Sequence, residues 1–482
     1  MQNILLPFVL IALLASSLIP TFIERRSKKA SSIFTTAVLC ALFAIAVSAA
    51  SSGGQSYFLF SAPFLGEASL FADGMSFIFI ISSLGISAAV SGFAVLAEGG
   101  AVKRGFFTLF ALYVAALLGI FGSSNLILLF IFFELMLVAS WLMIGFWGGE
   151  NRSAVSLKYF LYTEFGALLL LAGILLLGSS IGTFDMLAIG TDPAITSGVY
   201  LGVALIFAGV LVKCASFPFH SWLPDTYSEA PYALTAVMSF STMAVGGYVL
   251  IRVFQSFVPS ILSDNALTIS LAIFGLINIL YGGVIAIKQD DLKRLLAYSS
   301  ISQVGYMFIG IASGSSLGFL GVAIWSLAHG LSKSSLFMIS GLYRKKLGTD
   351  KLSEMGGLSK KMPMTSSVFF ASFMNACGIP PFLGFWGELL IFLAFISSSI
   401  GAGFDAFKLA IGVIAIASSV ITVGYSLWAV RRSLFGELPE GLHNASDPPV
   451  VTILPLAILA SSLVAIGFLP YLITSLFWVF VP

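Results

Sequence analysis

Charged side chains are scarce in this chain. Asp, Glu, Lys and Arg make up 9% of its 482 residues, whereas soluble globular proteins carry about 25%. A chain with so few charges cannot cover a molecule of this size with groups that water solvates. Its 59% hydrophobic content and its mean hydropathy of +1.05 are typical of segments that lie in a bilayer. A soluble enzyme, a nucleic-acid-binding protein and a disordered chain are therefore excluded.

Residues that bind metals and cofactors are also scarce. The three cysteines, Cys40, Cys214 and Cys377, are scattered through apolar runs. They have neither the CxxC spacing of a metal site nor the number that a disulfide framework needs. The sequence contains three histidines, no P-loop, no dinucleotide-binding glycine motif after a strand pattern and no HExxH zinc motif. We therefore expect this chain to bind no cofactor and no metal.

Long apolar runs predict an all-α integral membrane protein with about fourteen membrane-spanning helices. No strands are expected, because lipid tolerates only helices and closed barrels and these runs are too long and too uniformly apolar for barrel strands. The first run has no basic residues before it, so we interpret it as a retained helix and not as a cleaved signal. The predicted spans lie near 3–21, 32–50, 74–97, 105–121, 124–147, 158–181, 198–216, 230–257, 267–287, 293–312, 316–343, 363–397, 405–430 and 449–480.

The basic residues predict which way these helices face. Nineteen of the 23 Lys and Arg residues lie in the loops that follow helices 1, 3, 5, 9, 11 and 13. The loops that follow even-numbered helices, around 51–73, 182–197, 258–266 and 312–316, hold none. Because cytoplasmic loops carry the excess of basic residues, the odd-helix loops are predicted to be cytoplasmic and both termini external. We expect a multi-pass protein of the inner, or cytoplasmic, cell membrane.

A few ionisable residues lie inside the apolar spans. Among the acids these are Glu134, Glu164 and Glu388, and Lys213 and Lys333 lie within or at the edge of apolar runs. A charge inside a bilayer costs several kilocalories per mole and usually marks an ion pathway. The alternative for Glu134 is a structural ion pair. We favour the pathway.

Several further ionisable residues have two interpretations. His329 and Lys333 are four residues apart and share a helix face. They could pass a proton at ordinary pH, or they could form a polar patch that hydrogen-bonds neighbouring helices. His220 could take part in transport or could cap carbonyl groups freed at a helix break. Arg252 and Lys408 lie near predicted helix ends, where snorkelling explains them.

Two spans are interrupted by proline in matching local settings. The segment Lys213–Trp222 reads KCASFPFHSW, and the segment Ala376–Glu388 reads ACGIPPFLGFWGE. In each, a cysteine is followed four residues later by proline and then by tryptophan. Paired breaks in two halves indicate a repeated transporter core with its site at the breaks, although chance similarity is the alternative. Since each half would hold five helices, the repeats would be inverted across the membrane.

The motifs themselves resemble a known family. FPFHSWLPDTYSEAP, QDDLKRLLAYSSISQVGY, HGLSKSSLF, MGGLSKKMPMT and GIPPFLGFWGE resemble the antiporter-like membrane subunits of respiratory complex I. That family also includes subunits of membrane-bound hydrogenases, of ferredoxin- and F420-linked complexes and of Mrp-type Na⁺/H⁺ antiporters. The resemblance begins at Asp73 and covers predicted helices three to fourteen. It implies fourteen helices, two inverted five-helix repeats and broken helices 7 and 12.

The resemblance also implies roles for particular residues. The family's paired glutamate and lysine of helices five and seven match Glu134 and Lys213, its central lysine or histidine matches His329 and Lys333, and its ionisable residue of helix twelve matches Glu388. Accessory positions are Glu164, His220 and Lys293. The expected domains are 1–104 (helices 1–3), 105–258 (first repeat, helices 4–8), 259–435 (second repeat, helices 9–13) and 436–482 (helix 14).

Three features depart from the family pattern. Helix eight has no lysine before its Gly-x-Tyr-like stretch, where the sequence reads Met243-Ala244-Val245. Gln303 replaces a frequent histidine, and Lys333 is a feature of other branches of the family. These departures leave the identity of the parent complex open.

The resemblance implies a proton-translocating subunit of a multi-subunit respiratory complex. Protons would move through the buried Glu/Lys/His chain, driven by redox chemistry in partner subunits that hold iron–sulfur, flavin or nickel centres. This chain would be a subunit without a redox centre. Its expected partners are other membrane subunits, including homologous antiporter-like ones, together with the lipid bilayer, and its ion is H⁺ or Na⁺. The alternatives are a subunit of an Mrp-type Na⁺/H⁺ antiporter without redox coupling and a structural membrane scaffold.

Overall fold

The structure, a computed structural model, describes residues 5–50, 54–62, 66–98, 104–189, 193–401 and 403–478. Within these ranges ten helices are long and apolar enough to cross a membrane. The helices are α1 (Leu5–Ser17), α2 (Ile19–Ile23), α3 (Lys28–Ala50), α4 (Gly74–Glu98), α5 (Phe106–Phe121), α6 (Leu126–Trp147), α7 (Arg152–Ile181), α8 (Ser197–Lys213), α9 (Trp222–Glu229), α10 (Tyr232–Arg252), α11 (Asn265–Ile287), α12 (Leu292–Ala312), α13 (Ser316–Leu347), α14 (Leu358–Lys361), α15 (Pro363–Ala376), α16 (Leu383–Ile400), α17 (Ala406–Leu434), α18 (Val450–Phe468) and α19 (Tyr471–Trp478). The chain is therefore a mostly helical, multi-pass membrane protein.

Proline divides several of the predicted spans. The span predicted near 198–216 ends as a helix at Lys213, and the span near 363–397 is divided into α15 and α16. The spans near 3–21 and 449–480 are also divided, just before Pro20 and at Pro470 respectively. Proline has no N–H group to donate and its ring clashes with the preceding turn, so a helix is interrupted where it occurs.

A β-hairpin connects α3 to α4. Strand β1 (Gln55–Ala62) pairs antiparallel with strand β2 (Gly66–Ala72), with Tyr57 opposite Leu70. The β2 backbone also hydrogen-bonds to the turn between α5 and α6, where the Phe71 amide donates to the Gly122 carbonyl at 2.7 Å. Our prediction that the chain has no strands is therefore wrong. The lipid argument applies only to segments that cross the membrane, and this hairpin occupies a loop between two spans.

Glycines allow consecutive helices to pack backbone against backbone. A Cβ atom on Gly209 of α8 would lie 2.7 Å from the Gly166 carbonyl oxygen of α7. Similarly, a Cβ atom on Gly275 of α11 would lie 2.7 Å from the Gly305 carbonyl oxygen of α12. Small residues at such interfaces let membrane helices approach closely, where van der Waals contact replaces the hydrophobic effect as the attraction.

A buried ion pair joins the end of α10 to the start of α4. The Arg252 guanidinium donates to the two carboxylate oxygens of Asp73 at 2.7 and 2.5 Å and to the Ser76 hydroxyl at 2.8 Å. Arg252 is 2% exposed. Burial raises the pKa of Asp73, but the Arg252 charge and its hydrogen bonds outweigh burial and hold this pKa below its usual value.

The prediction that Arg252 and Lys408 snorkel to the membrane surface is wrong in the structure. Arg252 remains buried because Asp73 neutralises it. Lys408 is also buried, with its ammonium 5.5 Å above the Phe395 ring. Sequence position alone did not reveal either partner.

Candidate functional site

The first helix break follows Lys213, the last residue of α8. The chain leaves the helix through Ala215, whose φ of 51° lies in the left-handed region. The Trp222 indole then donates at 3.1 Å to the Val212 carbonyl, which also accepts from the Ala215 amide at 3.1 Å. The Phe217 amide donates to the side-chain oxygen of Asn278 in α11 at 2.9 Å. The break is therefore closed by hydrogen bonds from within the protein.

An asparagine side chain also bridges the second break, between α15 and α16. The Asn375 side chain accepts a hydrogen bond from the Gly384 amide at 2.8 Å and donates to the Ala328 carbonyl of α13 at 3.1 Å. Gly378 has a φ of 64°, and the Glu388 carboxylate lies directly against it, in the space that a Cβ atom would fill. Glycine is therefore required here both for its backbone angle and for the approach of the carboxylate.

The two sequence-predicted residues of the first half come together beside the first break. Lys213 is 4% exposed, and its ammonium lies 5.1 Å from the centre of the Phe133 ring. Glu134, the next residue along α6, has a buried Oε1 that makes no hydrogen bond. Glu134 and Lys213 interact electrostatically, but neither makes an ion pair within 4.0 Å with any described residue. The two side chains therefore interact without forming an ion pair.

Two accessory residues belong to the same half of the chain. Glu164 of α7 is half-buried and interacts electrostatically with Glu134. His220, inside the break, shares a 2.7 Å hydrogen bond between its Nε2 and the Tyr281 hydroxyl, while its Nδ1 is buried without a partner. His220 therefore contacts a tyrosine of α11 and does not cap a backbone carbonyl through Nε2.

The central residues lie one turn apart on α13. Lys333 is fully buried and donates to the Ser299 hydroxyl and, at 3.3 Å, to the Leu296 carbonyl, both on α12. His329 is 3% exposed, and its Nδ1 lies 2.5 Å from the Gln303 side-chain oxygen. Among the described residues, no hydrogen bond joins Lys333 directly to His329. Each of the two therefore has its own polar partners on α12.

Gln303 connects this centre with the second half. Its amide nitrogen donates to the Tyr425 hydroxyl at 3.2 Å and lies 3.5 Å from the Ala376 carbonyl, at the end of α15. Tyr425 in turn interacts electrostatically with Glu388. Polar groups therefore connect His329 with the second break, where Glu388 is half-buried.

Lys293, near the start of α12, has its own set of contacts. Its ammonium donates to the Ser228 and Ala230 carbonyls at 3.1 and 3.0 Å and lies 3.8 Å above the Tyr232 ring. It lines a pocket of about 660 Å³ together with Asp291, Asp350, Glu229 and Arg344. Burial raises the pKa of Asp291, which caps α12 at the rim of this pocket.

The family model described as "NADH:quinone oxidoreductase/Mrp antiporter, TM" matches residues 123–415, more than half of the chain. The chain belongs to this family. The matched range contains Glu134, Lys213, His329, Lys333 and Glu388. The resemblance inferred from the motifs is therefore confirmed.

Individual relatives of this antiporter-family chain span most of its length. Subunit M of the F420H2 dehydrogenase of Methanosarcina mazei is 34% identical over 85% of this chain and 82% of its own length. An NAD(P)H-quinone oxidoreductase chain 4 of Picosynechococcus sp. is also 34% identical, over 84% of this chain and 76% of its own length. The Mrp complex from Dietzia sp. contains a chain of similar structure, with a TM-score of 0.87 and 26% identity. That match covers 98% of this chain, which spans about half, 51%, of the Mrp chain.

Sequence reasoning missed Asn278 and Asn375 as polar residues of this site, and it noted Gln303 only as a departure from the family pattern. Asn278 and Asn375 close the two breaks, and Gln303 connects the centre with the second half. Each is an uncharged amide within or at the end of an apolar helix. Charge alone does not identify such residues, because a buried amide in lipid needs hydrogen-bonding partners as well. A lone Asn or Gln inside an apolar run was the signal available.

Proposed function

We propose that this chain is the antiporter-like, proton-translocating subunit of a membrane oxidoreductase complex. One observation carries the proposal: ionisable side chains that are buried or half-buried lie beside the first break, on α13 and at the second break. They are Glu134 and Lys213, then Lys333 and His329, then Glu388. Buried ionisable residues without counter-ions are costly in a membrane and are typical of proton pathways.

The geometry supports transfer in steps. Lys213 and Lys333 are enclosed, and neither has a carboxylate within 4.0 Å among the described residues. The field of a charge that arrives nearby is weakly screened in such surroundings. Moving one charge against 100 mV requires about 2.3 kcal/mol. A rearrangement of one buried charge pair can supply energy of this size.

Both breaks contain proline and are bridged by an asparagine side chain, which supports an internal repeat. In our proposal the chain has fourteen spans, with α8 and α9 forming helix 7 and α15 and α16 forming helix 12. Residues 1–104 hold helices 1–3, residues 105–258 and 259–435 form two inverted five-helix repeats, and residues 436–482 hold helix 14. The basic residues of the odd-helix loops support a proposed topology in which these loops are cytoplasmic and the termini lie outside the cell membrane.

The relatives favour an oxidoreductase over an Mrp antiporter as the parent complex. The F420H2 dehydrogenase subunit and the quinone oxidoreductase chain are both 34% identical to this chain, whereas the Mrp chain is 26% identical. We propose that this chain is a non-redox subunit, with iron–sulfur, flavin or nickel centres in its partners. Those partners include other membrane subunits and homologous antiporter-like chains. The proposed ion is H⁺.

The test is proton uptake into vesicles that contain the purified complex and are driven by electron transfer. Lys213→Ala and Glu388→Gln should each reduce uptake at least tenfold while the complex still assembles. Lys361→Ala is the matched control, because Lys361 is an exposed cation outside this set of residues. Unchanged proton uptake in Lys213→Ala and Glu388→Gln would show that these residues are not part of a transport pathway.

The same vesicles separate the pump from the antiporter. An oxidoreductase subunit should move protons when an electron donor and acceptor are added and no Na⁺ gradient is present. An antiporter should move protons when a Na⁺ gradient is imposed without any electron transfer. Transport in the second condition alone would refute redox coupling.

A further inference from the structure

The amide orientation of Gln303 is decided by its surroundings. One end of the side chain faces the Ala376 carbonyl at 3.5 Å and the Tyr425 hydroxyl at 3.2 Å, and the other faces Nδ1 of His329 at 2.5 Å. A backbone carbonyl can only accept a hydrogen bond, so the NH₂ group of Gln303 must point toward Ala376. The oxygen of Gln303 therefore faces the imidazole.

This orientation determines where the imidazole carries its proton. An amide oxygen has lone pairs and no hydrogen, so it must accept the bond and Nδ1 of His329 must donate it. A neutral imidazole holds a single N–H, so Nε2 keeps its lone pair. Nε2 of His329 is buried and makes no hydrogen bond. The backbone of Ser239 in α10 is a hydrogen-bond acceptor for the protonated ring.

We propose that Gln303 is a positioning residue that holds His329 in the Nδ1–H tautomer and thereby selects Nε2 as the atom that takes up and releases the transported proton. The inference rests on the proposed function and deepens it. On loading, the proton binds the Nε2 lone pair and the ring becomes an imidazolium with an N–H on each nitrogen. The Nδ1–H bond to Gln303 is kept throughout. On release the same proton leaves from Nε2.

The Gln303 amide also limits the route. Its oxygen and nitrogen do not exchange protons with neighbours as a carboxyl or imidazole does. The hydrogen-bonded line from His329 through Gln303 to Tyr425 is therefore not a proton wire. Transfer between His329 and Glu388 therefore starts at Nε2 and bypasses the Gln303 amide.

The chain is well suited to a direct test because it contains three histidines, His220, His329 and His443. Nitrogen NMR of the ¹⁵N-histidine-labelled complex in bilayers distinguishes protonated from unprotonated ring nitrogens. The signals are assigned with His220→Gln and His443→Gln variants. At a pH where the ring is neutral, His329 should show a protonated Nδ1 and an unprotonated Nε2. The opposite pattern in the wild type would overturn the proposal without any variant.

Variants test the role of Gln303. Gln303→Leu removes the acceptor, and the ratio of the Nδ1–H to the Nε2–H tautomer should fall by about fivefold or more. Gln303→Glu keeps an oxygen acceptor and should restore the wild-type pattern. Gln289→Leu, an amide removed at the end of α11, is the matched control and should leave His329 unchanged. An unchanged tautomer ratio in Gln303→Leu would refute the positioning role.

Proton uptake by the same complexes separates this inference from the proposed function. Gln303→Leu should lower redox-driven uptake, and Gln303→Glu should recover part of it. If the wild-type complex moves no protons while the tautomer pattern is as expected, the proposed function is refuted, whereas the positioning of His329 by Gln303 is supported. If wild-type complex moves protons and Gln303→Leu changes the tautomer without changing uptake, the selection of Nε2 is refuted.

Discussion

Neutralising Asp73 should destabilise the protein more than removing its partner Arg252. Asp73→Asn keeps the side-chain oxygen that caps α4 through the Ser76 amide at 2.9 Å. It leaves the Arg252 charge, 2% exposed, without a counter-ion. Arg252→Met leaves the Asp73 carboxylate, which is 16% exposed and still accepts from Ser76. Breaking a buried pair costs about 3–5 kcal/mol, so we expect about 5 kcal/mol for Asp73→Asn and about 3 kcal/mol for Arg252→Met.

The double variant Asp73→Asn/Arg252→Met should be more stable than either single variant, because no charge is then left buried. Its free energy of unfolding should lie within about 1–2 kcal/mol of the wild type, since replacing a whole buried pair is often nearly neutral. Reversible unfolding in mixed micelles, followed by tryptophan fluorescence, measures all four proteins. Arg25→Met, at an exposed arginine, is the control and should change stability by less than about 0.5 kcal/mol.

The result that refutes this reasoning is additivity. If the two single variants each cost less than about 1 kcal/mol and their effects sum in the double variant, Asp73 and Arg252 are not a coupled buried pair. If Arg252→Met lowers the free energy of unfolding more than Asp73→Asn does, exposure does not determine which of the two charges is more destabilising without its counter-ion.

Three further predictions concern pH, packing and topology. The pKa of Asp73 is lowered in the folded state, so its ionised carboxylate stabilises the protein fully above the unfolded pKa of about 3.9, and this stabilisation is lost as pH falls further. The difference in the free energy of unfolding between wild type and Asp73→Asn should therefore narrow below about pH 4. Gly209→Val should destabilise the protein by about 1–3 kcal/mol through overpacking, whereas Gly424→Val, whose Cβ atom meets a side chain at 3.7 Å, should be tolerated. In a Cys40→Ala background, an impermeant maleimide should label Lys346→Cys from the cytoplasmic side and Ser263→Cys from outside; labelling of both from one side would contradict the topology.

The sequence predicted those features whose causes are local. Proline and its neighbours identified both breaks, and the scarcity of charge identified Lys213 and Glu388 as unusual residues in apolar surroundings. Helix boundaries near prolines were less accurate because backbone hydrogen bonds decide the last turn. The hairpin of β1 and β2 was missed because a search for long apolar runs does not detect two short strands in a loop.

Features that depend on distant residues could not be predicted in this way. Asp73 and Arg252 are separated by 179 positions, so Arg252 resembled an ordinary residue at a helix end. Gln303 was recognised as a departure from the family pattern, but its contact with His329 depends on how α12 packs against α13. The register between two helices is set by side-chain packing over their whole length, which a single sequence does not display.

The two asparagines that close the helix breaks have a consequence for the order of synthesis. In the second half, Asn375 precedes the Gly384 amide by nine residues, so the bond can form as soon as that segment emerges. In the first half, Asn278 follows Phe217 by 61 residues. At about 5–20 residues per second, this amide waits about 3–12 s for its acceptor. A chain that stops before α11 therefore lacks a partner for the Phe217 amide, whereas the second break can close using its own segment alone.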